Sequence, residues 1–147
     1  MPEATWICAD VFDIWRTLGR FDTAISNPPF GRVNSHGKQG PSYNGSEFEY
    51  KIIDIAAEIA DYGTFLIPQG SSPFRLSATQ YYQRTENRKF QKFFDDTGID
   101  IESGAGVDTS YHKDEWKTAA PITEIACCDF TERTKPGQMS LFDEVAA

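Results

Sequence analysis

Two adjacent prolines, Pro28 and Pro29, constrain this chain more than any other feature. Each locks φ near about −65° and removes a backbone N–H, so neither a helix nor the interior of a sheet can run through them. The short apolar stretch 22–26 is therefore predicted to be a strand that stops at Asn27, and Pro28 biases Asn27 toward extended backbone. The turn that follows presents two rigid acceptors, the Asn27 side-chain oxygen and the Pro28 carbonyl. Acceptors fixed in this way can take both hydrogens of a planar –NH2 group and localise its lone pair, which makes the nitrogen a better nucleophile. Phe30 offers a ring face on which a base drawn out of its helix can stack. The plainer alternative is a proline-stiffened turn with Phe30 packed in the core.

The rest of the chain reads as one domain. Its 147 residues are 39% hydrophobic and 14% aromatic, enough to fill a single core and too short for two. No apolar run reaches the ~18–20 residues that span a bilayer, and no basic flank leads into an apolar block at the start. A soluble, unsecreted protein is expected. With 22 acidic against 14 basic side chains, the net charge of −8 gives no bulk attraction for nucleic acid, which must then be held by a local basic patch. Three cysteines, Cys8, Cys127 and Cys128, do not make a disulfide framework. The two histidines, His36 and His112, lie far from any cysteine pair, so a reducing cytoplasm and no structural metal are expected.

Short apolar runs at 5–9, 22–26, 64–67, 99–102 and 123–130 are predicted strands, with a brief helical turn over 12–18. Helical spacing of Ile52, Ile55, Ala56, Ile59 and Ala60 predicts a helix over 49–61. A second helix is predicted over 80–95, with Arg84, Arg88, Lys89 and Lys92 on its polar side. Residues 31–46, rich in glycine and polar side chains, are expected to form a mobile loop. Strands alternating with helices indicate an α/β fold with a mostly parallel sheet, and the last strand can run antiparallel. Residues 1–130 are expected to be the folded domain and 131–147 a flexible tail.

Trp6-Ile7-Cys8-Ala9-Asp10 followed by Phe21-Asp22-Thr23-Ala24-Ile25-Ser26-Asn27-Pro28-Pro29-Phe30-Gly31 resembles S-adenosylmethionine-dependent amino-methyltransferases. The similarity is greatest to the N6-adenine DNA methyltransferases, although rRNA base and protein-glutamine methyltransferases share the tetrapeptide. The resemblance implies a partial Rossmann-like class I methyltransferase fold. It further implies that Asn27, Pro28, Pro29 and Phe30 hold the target amine after the fourth strand. Asp10, with Val11, would touch the adenine of S-adenosylmethionine after the third strand. The family's glycine-rich turn has no counterpart here, since the nine residues before Asp10 include no glycine. The first two strands are thus expected to be missing, with the 22–26 strand left as an exposed edge. On this reading the chain is a fragment, a truncated product or half of a split enzyme. It would bind cofactor weakly or not at all and offer its open edge to a complementing chain or to itself.

Two further features bear on partners. Arg32, His36 and Lys38 follow the tetrapeptide and can contact phosphate if the loop closes over a nucleotide; a solvated insertion is the alternative. Gln138-Met139-Ser140-Leu141-Phe142 resembles the peptide with which bacterial DNA-processing proteins dock on the sliding clamp. That resemblance would make Gln138, Leu141 and Phe142 docking residues, and a non-catalytic module that binds the clamp through them is the rival to an enzyme. The alternative is an amphipathic turn covering the domain's own surface.

Overall fold

The computed structural model describes residues 3–108, 114–115 and 121–134. The elements are α1 (Val11–Ile14), β1 (Phe21–Ser26), α2 (Phe48–Ile59), β2 (Ala60–Pro68), β3 (Phe74–Arg75), β4 (Gln83–Arg84), α3 (Arg88–Thr97), β5 (Glu102–Gly106) and β6 (Thr123–Asp129). Four strands form one mixed sheet in the order β1-β2-β6-β5, and β3 with β4 makes a separate two-stranded ribbon. β1 lies parallel to β2, from Phe21 opposite Ala60 to Ser26 opposite Phe65. β6 is antiparallel to both of its neighbours, β2 and β5.

The expectation of a mostly parallel sheet is therefore corrected: β1 with β2 is the one parallel pairing of the sheet. The reason is the insertion of β6, in the opposite sense, between β2 and β5. Because it opposes both, β1, β2 and β5 all point the same way, and their carboxyl ends meet the start of β6 along one rim of the sheet.

β2 alternates as a half-buried strand should, with Phe65 and Ile67 inward on the face covered by α2. Tyr50 of α2 stacks on Phe93 of α3 at 4.5 Å between ring centres, and this pair forms the centre of the core. β1 is the sheet edge, with Ile25 81% exposed, in keeping with the expected open edge.

Several boundaries differ from the sequence reading. Residues 5–9 form no strand; they are irregular and exposed, with Trp6 91% accessible. An apolar run becomes a strand by pairing, and this one has no sheet neighbour. The second helix starts at Arg88, not at residue 80. The Asn87 side chain caps it by accepting from the N–H groups of Lys89 and Phe90, while Gln83 and Arg84 pair with β3. β5 begins at Glu102, and Ile99 and Ile101 are buried ahead of it.

The glycine-rich stretch 31–46 has no regular structure, yet it is tied down from within. Tyr43 is 2% exposed and packs edge-on against Tyr50 and Phe93. Asp54 of α2 accepts from the backbone N–H groups of Ser42 and Tyr43 at 2.7 and 2.8 Å. The other oxygen of Asp54 receives Arg133, which also donates to Glu58, to Ser42 and to the Thr97 carbonyl. Burial pushes the Asp54 carboxyl above its ordinary range, while the two backbone N–H groups and Arg133 pull it back. Arg133 thus joins the segment after β6 to the loop and to the end of α3.

Removing one partner of a buried ion pair strands the other in low dielectric, at a cost of about 3 kcal/mol. Arg133→Ala is expected to lower unfolding stability by that amount and to raise the Asp54 pKa further. Denaturant titration and carboxyl NMR check the two effects.

Candidate active site at the carboxyl ends of the strands

The 27–30 turn begins where β1 ends, on the rim defined above. Open α/β sheets bind ligands there because loops at strand ends diverge and leave a crevice. A cavity of about 440 Å³ opens at this place, lined by Asn27, Pro28, Pro29 and Phe30 with Leu66 of β2, Val107 after β5 and Thr123 at the head of β6. β2 and β6 each give one residue to it, and the segments that follow β1 and β5 give the rest. Pro28 is buried and anchors the turn, while Asn27 is exposed and Phe30 half-buried. Among the described residues, nothing donates to the Asn27 side chain or to the Pro28 carbonyl.

The exit of the turn is held by a buried carboxylate. Glu49, fully buried in α2, accepts the Gly31 N–H at 2.7 Å and the Ser71 hydroxyl at 2.5 Å. The Phe48 N–H donates to the Gly31 carbonyl at 2.8 Å. Gly31 itself has φ +71°, a conformation that other residues reach only with strain. This turns the chain sharply, so that Phe30 lines the cavity and Arg32 lines a separate groove.

That second groove, also of about 440 Å³, is polar and is formed by residues of the 32–46 loop together with Lys51. Of the three residues expected on the substrate side, Arg32 alone lines it. Lys38 instead bridges Asp10 and Asp13 at 2.7 and 2.6 Å. His36 adopts φ +50°, and its backbone N–H donates to the Asn34 side chain.

Asp10 and Val11 stand apart from the cavity. Asp10 caps α1, one oxygen accepting the Phe12 N–H at 2.9 Å and the other receiving Lys38. Val11 packs against the core. Both carboxylate oxygens of Asp10 are thus engaged by contacts within the chain. Gln138, Leu141 and Phe142 lie outside the described residues.

Sequence reasoning missed Leu66, Val107 and Thr123. Thr123 stands 93 residues beyond Phe30 and reaches the rim because β6 runs backwards through the sheet. An antiparallel last strand was expected, but which strands it lies between is not written in its own residues, so no local signal led to Thr123.

Comparison with protein-family models, with curated proteins and with solved structures gives no match.

The Lys38 ammonium beside Asp10 holds that carboxyl below its ordinary value of 3.8, with the Phe12 N–H adding to the effect. A depressed carboxyl pKa contributes stability that is complete above 3.8 and is lost as the pH falls through the lowered value. Carboxyl NMR should therefore place the Asp10 midpoint below 3.8 in the native chain and return it toward 3.8 in Lys38→Ala. Gly31→Ala is expected to cost about 1 kcal/mol in denaturant melts, from its positive φ. The added methyl group meets no atom nearer than 3.8 Å, so crowding contributes little.

Proposed function

We propose that this chain carries the target-amine site of an N6-adenine DNA methyltransferase, with S-adenosylmethionine as methyl donor. The observation that carries the reading is a pair of acceptors, Asn27 Oδ1 and the Pro28 carbonyl, that take no hydrogen bond among the described residues and stand on a proline-fixed turn over an apolar cavity. A planar amine entering there donates one hydrogen to each acceptor. Its nitrogen lone pair is then directed out of the ring plane, away from conjugation, and gains nucleophilic character. Phe30 supplies the stacking face, and Pro29, Leu66 and Val107 give the ring apolar surroundings. No general base has to act first, because the proton leaves readily once the nitrogen has become cationic.

Three features support the wider setting. The motif-bearing β1, the following α2 and the parallel β2 make a βαβ unit, as the resemblance implies for the fourth and fifth strands. The clamp-like peptide at Gln138, Leu141 and Phe142 favours DNA over RNA or a protein glutamine as acceptor. The open edge of β1 suits pairing with a strand from a complementing chain.

The test is ligand NMR on the 147-residue chain with adenosine and with purine riboside, which lacks the amine. Adenosine is expected to bind more tightly, and Asn27→Ala to remove that preference with about a tenfold loss of affinity, the worth of one or two hydrogen bonds. Equal binding of the two nucleosides, or an unaltered preference in Asn27→Ala, overturns the proposal.

A further inference from the structure

Thr123 is 3% exposed and lines the Asn27 cavity. Its Oγ1 is the buried side-chain polar atom without a hydrogen-bond partner among the described residues. Its neighbours on the strand explain why the position is unusual. Glu124, next along β6 and facing the other way, is saturated by Gln69, by the Leu76 and Ser77 N–H groups and by the Ser77 hydroxyl. The Ser77 hydroxyl in turn receives the Val107 N–H at 2.9 Å, which fixes the cavity wall beside Thr123. Here, then, a fully buried carboxylate is satisfied several times over, while the adjacent hydroxyl has no bond among the described residues. Such a hydroxyl costs stability in the free protein, and unpaired polar groups of this kind gather at functional sites.

The remaining lining decides what the hydroxyl can meet. Between Asn27 and Thr123 the surfaces are ring and aliphatic: Pro29, Phe30, Leu66 and Val107. A flat body with apolar faces fits such walls, and polar atoms are wanted at its rim. We infer that Thr123 is a specificity-determining residue that donates its hydroxyl hydrogen to a ring nitrogen of the bound ligand. The cavity then selects amino-substituted nitrogen heterocycles over simple aromatic amines and over carboxamides. This rests on the amine-binding reading of Asn27 and adds a second, independent polar contact to it.

The experiment uses the full chain and its Thr123→Val and Thr123→Ser variants, titrated with adenosine and melted without ligand. Valine matches threonine in shape and lacks the hydroxyl, whereas serine keeps it. Thr123→Val is expected to bind adenosine about tenfold more weakly, and Thr123→Ser within about twofold of the native chain. In the melts Thr123→Val should rise by about 3 °C, because an unpaired buried hydroxyl has been replaced by a methyl group. Loss of affinity together with a gain in melting temperature is a signature that a structural threonine does not give.

Native affinity in Thr123→Val, with Asn27→Ala still weakened, overturns the role of Thr123 and leaves the amine site standing. A fall in melting temperature for Thr123→Val, recovered in Thr123→Ser, shows the hydroxyl bonded within the protein and overturns the inference. Failure of the native chain to bind adenosine at millimolar concentration overturns the amine site and this inference together.

Discussion

The site depends on a carboxylate that has been taken out of water. Glu49 is fully buried, and among its hydrogen-bond donors are the Gly31 N–H on one side and the Ser71 hydroxyl on the other. Those contacts fasten the end of the proline turn to the short 3-10 segment Gln69–Ser71 that follows β2. Rings on the two prolines stiffen the turn, but stiffness alone does not aim it. Direction comes from Glu49, rooted in a helix whose next residue, Tyr50, is stacked in the core. Burying a charge is costly unless donors surround it, so the chain must bring residues 31 and 71 to the helix for Glu49 to be tolerated at all.

Two other carboxylates repeat the device elsewhere. Asp54 gathers the backbone of Ser42 and Tyr43 with the Arg133 guanidinium, and Glu124 gathers the segment around Ser77. In each case irregular chain is ordered by a single buried acceptor on a regular element. The acidic balance of the sequence, seen this way, is not wholly a surface property. At least three of its acidic groups serve as internal fasteners for loops.

What could be read from the sequence follows the range of the interaction involved. The proline turn, the strand before it and the helix, expected over 49–61 and found over 48–59, were legible because each is governed by neighbours a few residues away. The open edge at Ile25 was legible from the resemblance. Residues 5–9 misled because strand propensity says nothing about whether a partner strand exists. The early part of the expected second helix failed for a local reason that could have been seen: Asn87 is a strong cap, placed directly before Arg88. The antiparallel sense of β6 was expected, but its interior place between β2 and β5 lay beyond local reading, and with that place went Thr123 and Val107. Pinning of the 31–46 loop was likewise hidden, since it rests on Asp54 meeting a residue 79 positions away.

The order of the sheet also has a consequence in time. β6, the last strand among the described residues, occupies an interior place between β2 and β5. Until residues 123–129 have been made, β2 and β5 have no common neighbour, and each leaves a ladder of backbone groups unpaired toward the gap. A ribosome therefore has to deliver residues 123–129 before the sheet can close, and contacts so distant in sequence are slow to form. The cavity at the strand ends, which needs both the turn after β1 and the head of β6, cannot exist before that strand is in place.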